Sequence, residues 1–306
     1  MSEIIYRHFK YPDDLEALVH LKNTYFRHYQ IDRVTDVEKQ KRLLSYPGHE
    51  PERDNYVAVV PGNYDLLAHI WLWEQSAGRF LYDLHVHPDW ERKTIGTNLL
   101  HKSFEHVRAH GGKHLDTQVS DKNTAHLQFC QKMGFRQAGS YFHMVLDSET
   151  KLPDLTEFRE FTIRSYSAID DIYVYTRVMN EAYGDLWGHM SNVSTDLVAK
   201  SLDYFDPDCI YFLFDGEDNP SGFARIHYSE DDGICMIDAP GVLPDYRSPD
   251  LYRYLVIYSV HQLKSRMKTA QDITMDSWGD FDSTLTMFRD IGFISRQHKI
   301  GFRYDL

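Results

Sequence analysis

The stretch PDWERKTIGTNLL, residues 88–100, joins a segment that alternates like a β-strand to one with the periodicity of an α-helix. A helix start leaves backbone N–H groups unpaired and carries partial positive charge, so it attracts anions. Gly96 lets a ligand approach the backbone closely. The junction also contains two basic and two hydroxyl side chains: Arg92, Lys93, Thr94 and Thr97. It matches neither a Walker P-loop nor a Gly-x-Gly-x-x-Gly turn, so two interpretations stay open, an anion site or a change of chain direction.

The sequence repeats itself at a domain-sized interval. Three segments recur in the same order, offset by 156 to 158 residues: 6–14 with 163–171, 86–90 with 242–246, and 129–135 with 287–293. A repeat of this size predicts two copies of one fold rather than a solenoid. We therefore predict an N-terminal domain at 1–150 and a C-terminal domain at 157–306, with a polar linker that contains proline at 147–157.

Hydrophobic periodicity and turn residues predict the elements of the first copy. Strands are predicted at 3–9, 55–60, 64–75, 79–87, 113–120 and 140–147, and helices at 12–26, 35–46, 93–109 and 124–133. This order places an antiparallel meander before a β-α-β-α-β unit. Each copy is thus predicted to be an α/β (α+β) fold, in which a mixed, mostly antiparallel sheet is flanked by helices.

Composition restricts the partners of the chain. The 306 residues carry a formal net charge of −13, which disfavours nucleic acid because phosphate backbones bind basic surfaces. No apolar run approaches the roughly 18 residues of a membrane span, and the first residues do not resemble a signal peptide. Cys130, Cys209 and Cys235 are far apart, as expected of free thiols in a reducing cytoplasm. His85 and His87 lack a third ligand, so no metal site is predicted.

The junction resembles that of the Gcn5-related N-acetyltransferases, the GNAT superfamily, and the two copies resemble its tandem-repeat members. Members carry a strand of type Leu-x-Val-x-Pro, followed by the motif Gln/Arg-x-x-Gly-x-Gly/Ala. Here the strand is LHVHP at 84–88 and the motif is ERKTIG at 91–96. Further along, the family often has an asparagine, a tyrosine seven residues later and a Gly-Phe pair. The matching residues here are Asn123, Cys130, and Gly134 with Phe135.

The resemblance implies that the N-terminal copy binds acetyl-CoA as its cosubstrate, without a metal. In the family, backbone amides of the motif hold the pyrophosphate, and the strand edge hydrogen-bonds the pantetheine arm, which Asn123 would also contact. The cofactor-binding residues implied in this way are Leu84, His85, Val86, Glu91, Arg92, Lys93, Thr94, Ile95, Gly96, Thr97 and Asn123.

The motif departs from the family pattern at two positions. Glu91 replaces glutamine or arginine and adds a negative charge near the phosphates, which Arg92 and Lys93 could offset. Thr94 replaces the first glycine, and its N–H can still serve the amide cradle if the backbone needs no positive φ there.

Tyr82 and Cys130 are the predicted catalytic residues. Cys130 stands where the family often has tyrosine as general acid for the departing thiolate. A thiol could donate that proton, although a cysteine at helical spacing from Leu127 and Met133 could equally be a small core residue. Tyr82 matches a strand position that often carries a base in the family, and it could pass a proton or orient the substrate.

The second copy has a different turn, RSPDLY at 247–252. Pro249 removes a donor, Asp250 places a carboxylate where phosphate would lie, and Tyr252 takes the place of Gly96. We therefore predict that the C-terminal domain is GNAT-like with a degenerate cofactor motif.

The predicted function is the transfer of an acetyl group from acetyl-CoA to the primary amine of a small acceptor by direct attack. An acidic chain suits a cationic acceptor. The alternative is a CoA-binding pseudoenzyme or a regulatory protein without turnover. The acceptor pocket is expected to form from the helices within 12–46 and the cleft between the domains, and the aromatic residues there either line it or pack in the core: Tyr25, Phe26, Tyr29 and Trp73. The expected partner is a small amine, and the chain is expected to be a monomer or a homodimer.

Overall fold

The computed structural model describes residues 3–31, 33–45, 49–62, 65–76, 78–153, 160–189, 192–202, 206–230 and 233–306. The chain forms two compact units. The first unit consists of Met1–Gln137 with Phe302–Leu306, and the second of Ala138–Gly301. They differ from the predicted halves because the final strand of each half contributes residues to the other unit. The predicted linker at 147–157 lies partly outside the described residues.

The first unit follows the predicted order of elements. They are β1 (Ile5–His8), α1 (Leu15–His28), α2 (Val37–Leu44), α3 (Pro51–Asp54), β2 (Asn55–Val59), β3 (Leu66–Ser76), β4 (Arg79–Val86), α4 (Ile95–Ala109), β5 (His114–Ser120), α5 (Thr124–Lys132) and the start of β6 (Arg136–Leu146). The short α3 was not predicted. Strands β1 to β4 pair antiparallel and β4 pairs parallel with β5. The predicted fold class, a mixed and mostly antiparallel sheet flanked by helices, is confirmed.

Helix α1 packs on this sheet through one apolar face. Leu15, Leu18 and Leu21 are spaced three residues apart, so they share one side of the helix. They are buried in a cluster that includes Val57 of β2 and Leu66 of β3. This packing also places the last turns of α1 over the neighbouring strand β4.

Strands β4 and β5 separate after a short paired stretch. Their register joins Arg79 to His114, Phe80 to Leu115, and Leu81 to Asp116, and the pairing ends there. On its other edge β4 stays paired with β3 as far as Val86. Beyond Leu81 the Thr117 hydroxyl of β5 still donates to the Tyr82 carbonyl at 3.0 Å, and among the described residues β4 has no backbone pairing with β5 from Leu84 onward.

A buried carboxylate joins the chain's last strand to the paired part of β5. Asp116 is fully buried and accepts a hydrogen bond from Arg79 Nε at 2.9 Å. It also accepts bonds from Arg303 Nε and Nη2, both at 2.8 Å. Two guanidinium groups compensate the cost of burying this charge. Residues 302–306 thus belong structurally to the first unit.

The second unit repeats the arrangement with its own elements. They are β7 (Thr162–Ser165), α6 (Tyr166–Ile169), α7 (Ile172–Tyr183), α8 (Thr195–Ser201), β8 (Ile210–Phe214), β9 (Pro220–Ser229), β10 (Ile234–Asp238), β11 (Gly241–Val242), α9 (Pro249–Arg266), β12 (Ile273–Trp278), α10 (Asp282–Ile291) and β13 (Ile294–Asp305). Strand β6 pairs antiparallel with β12, and β12 pairs parallel with β10. Its core lies between α9, α10 and the sheet.

Cys130, Cys209 and Cys235 are all buried free thiols. Within the described part of the chain, none of the helices has the length and apolarity needed to span a bilayer.

Candidate active site

The turn between β4 and α4 adopts a left-handed backbone at two residues that are not glycine. Arg92 has φ 58°, and Thr94, the residue before α4, has φ 61° and ψ 2°. The cradle was expected to tolerate Thr94 only without a positive φ, and the structure shows a positive φ at this position. A β-branched residue in this region costs about 1–2 kcal/mol. The turn therefore keeps the backbone shape of a glycine turn and stores strain at Thr94.

The amino end of α4 has no side-chain cap. The Thr94 hydroxyl donates to the carbonyl oxygen of Lys93 at 2.6 Å and does not cap the helix. The first intrahelical bond joins the Asn98 N–H to the Thr94 carbonyl at 3.0 Å. Among the described residues, none accepts a hydrogen bond from the N–H groups of Ile95, Gly96 or Thr97. These unpaired donors at a positive helix end form a site for an anion.

A cavity of about 450 Å³ opens at this helix start. Of the predicted cofactor-binding residues, those that line it are Leu84, Val86, Glu91, Arg92, Thr94, Ile95, Gly96, Thr97 and Asn123. His85 and Lys93 do not line it. The cavity is also lined by residues that the motifs did not indicate: Tyr25, Tyr29, Trp90, Ala125, His126, Gln128, Phe129 and Lys132. The contributions of α1 and α5 could not be read from a motif, because they depend on how the helices pack.

Gly96 keeps this cavity open. A Cβ atom built at Gly96 would lie 3.4 Å from Leu84 Cδ2, 3.5 Å from Val86 Cγ2 and 3.8 Å from Phe129 Cζ. These three side chains line the cavity. A methyl group would be in van der Waals contact with the wall, and any larger side chain would project into the space.

Glu91 and Lys93 are both engaged by neighbouring groups. The hydroxyl of Tyr29, the residue after α1, donates a short hydrogen bond to Glu91 Oε1. Burial and this carboxylate raise the pKa of Tyr29, so its proton stays in place. Lys93 Nζ donates to the Asp89 carbonyl at 2.8 Å and lies 4.4 Å from the centre of the Trp90 ring. Lys93 thus does not offset the charge of Glu91 inside the cavity, and Arg92 is the basic residue of the motif that lines it.

Asn123 joins α5 to α1 at the wall of the cavity. Its Oδ1 accepts from the His126 N–H at 3.0 Å and caps α5, while its Nδ2 donates to the Tyr25 hydroxyl at 2.9 Å. Burial raises the pKa of Tyr25 well above its usual value. The Tyr25 oxygen is already an acceptor, and the described residues offer no acceptor for its proton. Tyr25 therefore presents a hydroxyl group with an uncommitted proton at the cavity.

Tyr82 and Cys130, the predicted catalytic residues, lie in the interior and not at the cavity. Both are buried, and the Tyr82 hydroxyl is 3.6 Å from Cys130 Sγ. Burial raises the pKa of Cys130 to about 11 and that of Tyr82 well above its usual value. Neither side chain is placed to touch a ligand in the cavity. The geometry favours the other interpretation of Cys130, a small core residue.

His85 points to the opposite face of β4 from Leu84 and Val86, as strand alternation requires. Its ring packs edge-on against Tyr25 and Phe26, with centroids 4.7 and 5.6 Å apart. Burial lowers its pKa to about 4. The alternation of the β3–β4 ladder also directs the backbone N–H and C=O of His85 toward His69 of β3, so His85 offers no group to a ligand in the cavity, whereas Leu84 and Val86 direct theirs to the other edge.

The matching turn of the second unit is capped and filled. Ser248 Oγ accepts from the Leu251 N–H at 3.2 Å, and Pro249, the first residue of α9, has no N–H. Tyr252, at the position of Gly96, is 2% exposed and packs in the core. Arg247 binds both carboxylate oxygens of Asp185, at 2.6 and 2.7 Å. At this helix start only the Asp250 N–H lacks an acceptor among the described residues, against three N–H groups at α4, and the side chain of Tyr252 fills the space.

Trp187 also fills the second unit beside the end of β12. Its atoms lie within 3 Å of the positions where Cβ atoms would stand at Gly139, Gly279 and Gly301. The Tyr183 hydroxyl donates to the Ala239 carbonyl at 2.7 Å, on the residue that follows β10. In the first unit the corresponding end of β4 faces the cavity.

The site has no features of a metal centre. In the described ranges, no group of three or more histidine, cysteine, aspartate or glutamate side chains is arranged to hold a metal ion.

Comparisons with known proteins agree with this geometry. The model of the acetyltransferase (GNAT) family matches residues 15–135, which contain the cavity. A GCN5-related N-acetyltransferase from Sphaerobacter thermophilus has a TM-score of 0.78 at 14% identity and covers 99% of this chain and 95% of its own. A tandem GNAT protein from the clavulanic acid biosynthesis pathway has a TM-score of 0.64 at 13% identity, covering 99% and 98% of the two chains.

A third similar structure is the glucosamine N-acetyltransferase region of a fungal multi-domain GH3 β-N-acetylglucosaminidase. Its TM-score is 0.74 at 14% identity, over 99% of this chain and 38% of that one. At such identities the three structures show a shared fold and no more. No curated protein sequence matches the chain.

Proposed function

From the premise that residues 15–135 form a GNAT acetyltransferase domain, we propose that the first unit transfers the acetyl group of acetyl-CoA to the primary amine of a small acceptor. The domain makes the chain an acyltransferase. The use of acetyl-CoA and the kind of acceptor are the proposal. The second unit, in this view, binds no acyl donor.

The uncapped start of α4 is the observation that carries the proposal. Three consecutive N–H groups, at Ile95, Gly96 and Thr97, lack acceptors and face a cavity that Gly96 keeps open. A diphosphate supplies several acceptor oxygens and negative charge to such a helix start. Arg92 adds a positive charge at the cavity wall. The residues present therefore fit a diphosphate ligand.

The unpaired edge of β4 gives an extended ligand a second binding surface. Pairing with β5 ends at Leu81, whereas Leu84 and Val86 line the cavity. Backbone N–H and C=O groups on an open edge bind an extended chain as an added strand would. The pantetheine arm has amide groups suited to this role, and Asn123 lies at the same wall.

Catalysis then depends mainly on how the amine and the acyl donor are positioned relative to each other. Acetyl-CoA supplies a thioester, which an amine can attack directly. The strand edge and Asn123 orient the acyl donor, and holding the two reactants together lowers the entropic part of the barrier. The Tyr25 hydroxyl keeps its proton at neutral pH and lines the cavity, so it can hydrogen-bond the departing sulphur.

Two measurements test the proposal. Acetyl-CoA should raise the melting temperature of the protein in a thermal shift assay, since it binds only the folded state. Thiol release from acetyl-CoA should then exceed background with at least one amine in a panel of aliphatic amines, aryl amines and amino sugars. A melting temperature that does not move would remove the proposal. Binding without thiol release would leave a CoA-binding protein without turnover.

A further inference from the structure

His126 is an imidazole without a hydrogen-bond partner at the wall of the cavity. It lies in the first turn of α5 and lines the cavity. Its Nε2 is buried and bonds to no described residue, and its Nδ1 also has no partner within the described ranges. A buried polar atom without a partner costs about 1–3 kcal/mol, so this ring needs an explanation. Because Nε2 is closed off, Nδ1 is the nitrogen that a ligand can reach.

Asn123 holds His126 and Tyr25 on one wall of the cavity. Its Oδ1 accepts from the His126 N–H at 3.0 Å, and its Nδ2 donates to the Tyr25 hydroxyl at 2.9 Å. These two bonds connect the first turn of α5 to α1. The Tyr25 hydroxyl is the proposed hydrogen-bond donor to the departing sulphur. A free imidazole and this donor are therefore fixed by the same asparagine.

His126 is the one neutral nitrogen base among the described residues that line the cavity. The other ionisable side chains there are Tyr25, Tyr29, Glu91, Arg92 and Lys132. The two tyrosines have raised pKa values and keep their protons, and the arginine and the lysine are cations at neutral pH. Glu91 accepts a hydrogen bond from Tyr29 and lies in the turn assigned to the diphosphate, not beside Asn123. His126 is thus the group at the wall of Asn123 that can take up a proton.

The surroundings of His126 keep its ring neutral. Burial lowers its pKa to about 4, and the charge of Asp83 on β4 opposes this only in part. His85, also on β4, has a pKa that burial lowers to about 4 as well, so it adds no positive charge at pH 7. The lone pair of His126 is therefore free, whereas an exposed histidine is partly protonated near neutral pH. The base is weak, but an amine nitrogen becomes far more acidic once it has bonded to a carbonyl carbon.

We propose that His126 is the general base of the acetyl transfer and takes the proton that the acceptor nitrogen loses. The inference rests on the function proposed above. The amine nitrogen bonds to the thioester carbon, and His126 Nδ1 takes one proton from that nitrogen. The C–S bond breaks, and the sulphur leaves with the electron pair and takes up one proton from the Tyr25 hydroxyl, giving an amide and a thiol. Proton exchange with solvent returns His126 and Tyr25 to their starting forms.

The first test replaces His126 by glutamine, which has a polar end of similar reach but takes up no proton. With benzylamine as acceptor, or with the panel amine that gives the highest rate, His126→Gln should lower kcat by about 100-fold or more. The dissociation constant of acetyl-CoA from isothermal titration calorimetry should change by less than about twofold, because the lost group acts on the acceptor nitrogen. His101→Gln, at an exposed position of α4, is the matched control and should behave like the wild type. An unchanged kcat in His126→Gln, or a loss of acetyl-CoA affinity as large as the loss of kcat, would overturn the inference.

A second variant distinguishes a base from a side chain that only fills space, and it also serves if His126→Gln does not fold. His126→Ala leaves room for an added heterocycle. Imidazole should raise the kcat of this variant by about 10-fold or more, since general base catalysis follows basicity. Pyrazole, an isomer of imidazole and a much weaker base, should not. Equal rescue by the two compounds, or rescue by neither, would contradict the role of His126.

The wild-type protein separates the failure of this inference from the failure of the proposed function. No binding of acetyl-CoA, or no thiol release with any amine, would remove both. Thiol release by the wild type together with an unchanged kcat in His126→Gln would remove only the role of His126.

Discussion

The starts of α4 and α9 occupy matching places in the two units, but their backbone N–H groups differ in whether they have hydrogen-bond acceptors. At α4, Thr94 makes no cap and three N–H groups stay unpaired beside a cavity. At α9, Ser248 caps the helix, Pro249 removes a donor and Tyr252 fills the space. A capped helix start stabilises the fold, and an uncapped one keeps its donors for a ligand. The fold permits either outcome, and a few side chains decide between them.

Both turns are nevertheless tied to the preceding long helix from the same position. In the first unit Glu91 accepts from Tyr29, just after α1. In the second unit Arg247 binds Asp185, just after α7. The charges are reversed, but the connection between turn and helix is kept. Fixing the turn therefore serves the fold of both units, whereas the exposed amides serve only the first.

The largest expected effect comes from filling the open helix start. Gly96→Trp should weaken acetyl-CoA binding by more than about 100-fold, because the indole would occupy space bounded by Leu84, Val86 and Phe129. Isothermal titration calorimetry measures this. Tyr252→Phe, at the matching position of the second unit, is the control and should leave the affinity unchanged. Loss of binding in that control, with Gly96→Trp still binding, would show that the roles of the units are reversed.

Thr94→Asp should have a smaller effect than Gly96→Trp. It should raise the stability of the free protein and weaken the binding of acetyl-CoA. The new carboxylate should stabilise the free protein by about 0.5–1 kcal/mol through the helix dipole. It should weaken acetyl-CoA binding by about 10-fold or more, because it repels the diphosphate. Thr94→Asn, which is neutral and tolerates the left-handed backbone, is the control and should keep the affinity. Urea unfolding and calorimetry give the two quantities, and tighter binding by Thr94→Asp would contradict an anion site.

Removing the Ser248 cap at the start of α9 should lower the stability of the fold without changing ligand binding. Ser248→Ala deletes the acceptor of the Leu251 N–H and should cost about 1 kcal/mol. Acetyl-CoA affinity should not change. Thr94→Ala, where no cap bond exists, should cost little or even relieve strain. Equal destabilisation by the two variants in urea unfolding would mean that the two helix starts do not differ as described.

The smallest effect concerns the pair that holds the second turn. The hydrogen bond from Arg247 lowers the pKa of Asp185, so the pair stabilises the fold above the normal carboxyl pKa and ceases to do so as pH falls through the lowered value. Asp185 is 54% exposed, so Asp185→Asn should cost no more than about 0.5 kcal/mol at pH 7. Near pH 2 variant and wild type should be equally stable in urea. A larger loss at pH 2 than at pH 7 would contradict this reasoning.

The motif indicated the turn at which the cavity opens, but it did not show which side chains face that cavity. The turn at 91–97 could be placed because glycine, hydroxyl residues and helix periodicity have local causes, whereas Asn123 was assigned only from the resemblance to the family. Tyr82 was assigned to the site from strand alternation, which gives a face and not the depth of burial. Tyr25 and His126 line the cavity from helices whose packing angle has no local signal. The sequence also did not indicate that Tyr29 is the hydrogen-bond partner of Glu91, because the two residues are far apart in the chain.

The sequence by itself indicated two copies of one α/β fold. At 88–100 it left an anion site and a change of chain direction both open, and at 247–252 it placed a proline and a carboxylate that disfavour an anion. These follow from local chemistry: helix starts, proline without an N–H, and glycine without a side chain. Only the tertiary structure decided that the pairing of β4 with β5 ends at Leu81, that Tyr25 and His126 line the cavity, and that Cys130 is buried. These properties depend on which groups meet across the fold, and such contacts involve residues far apart in the chain.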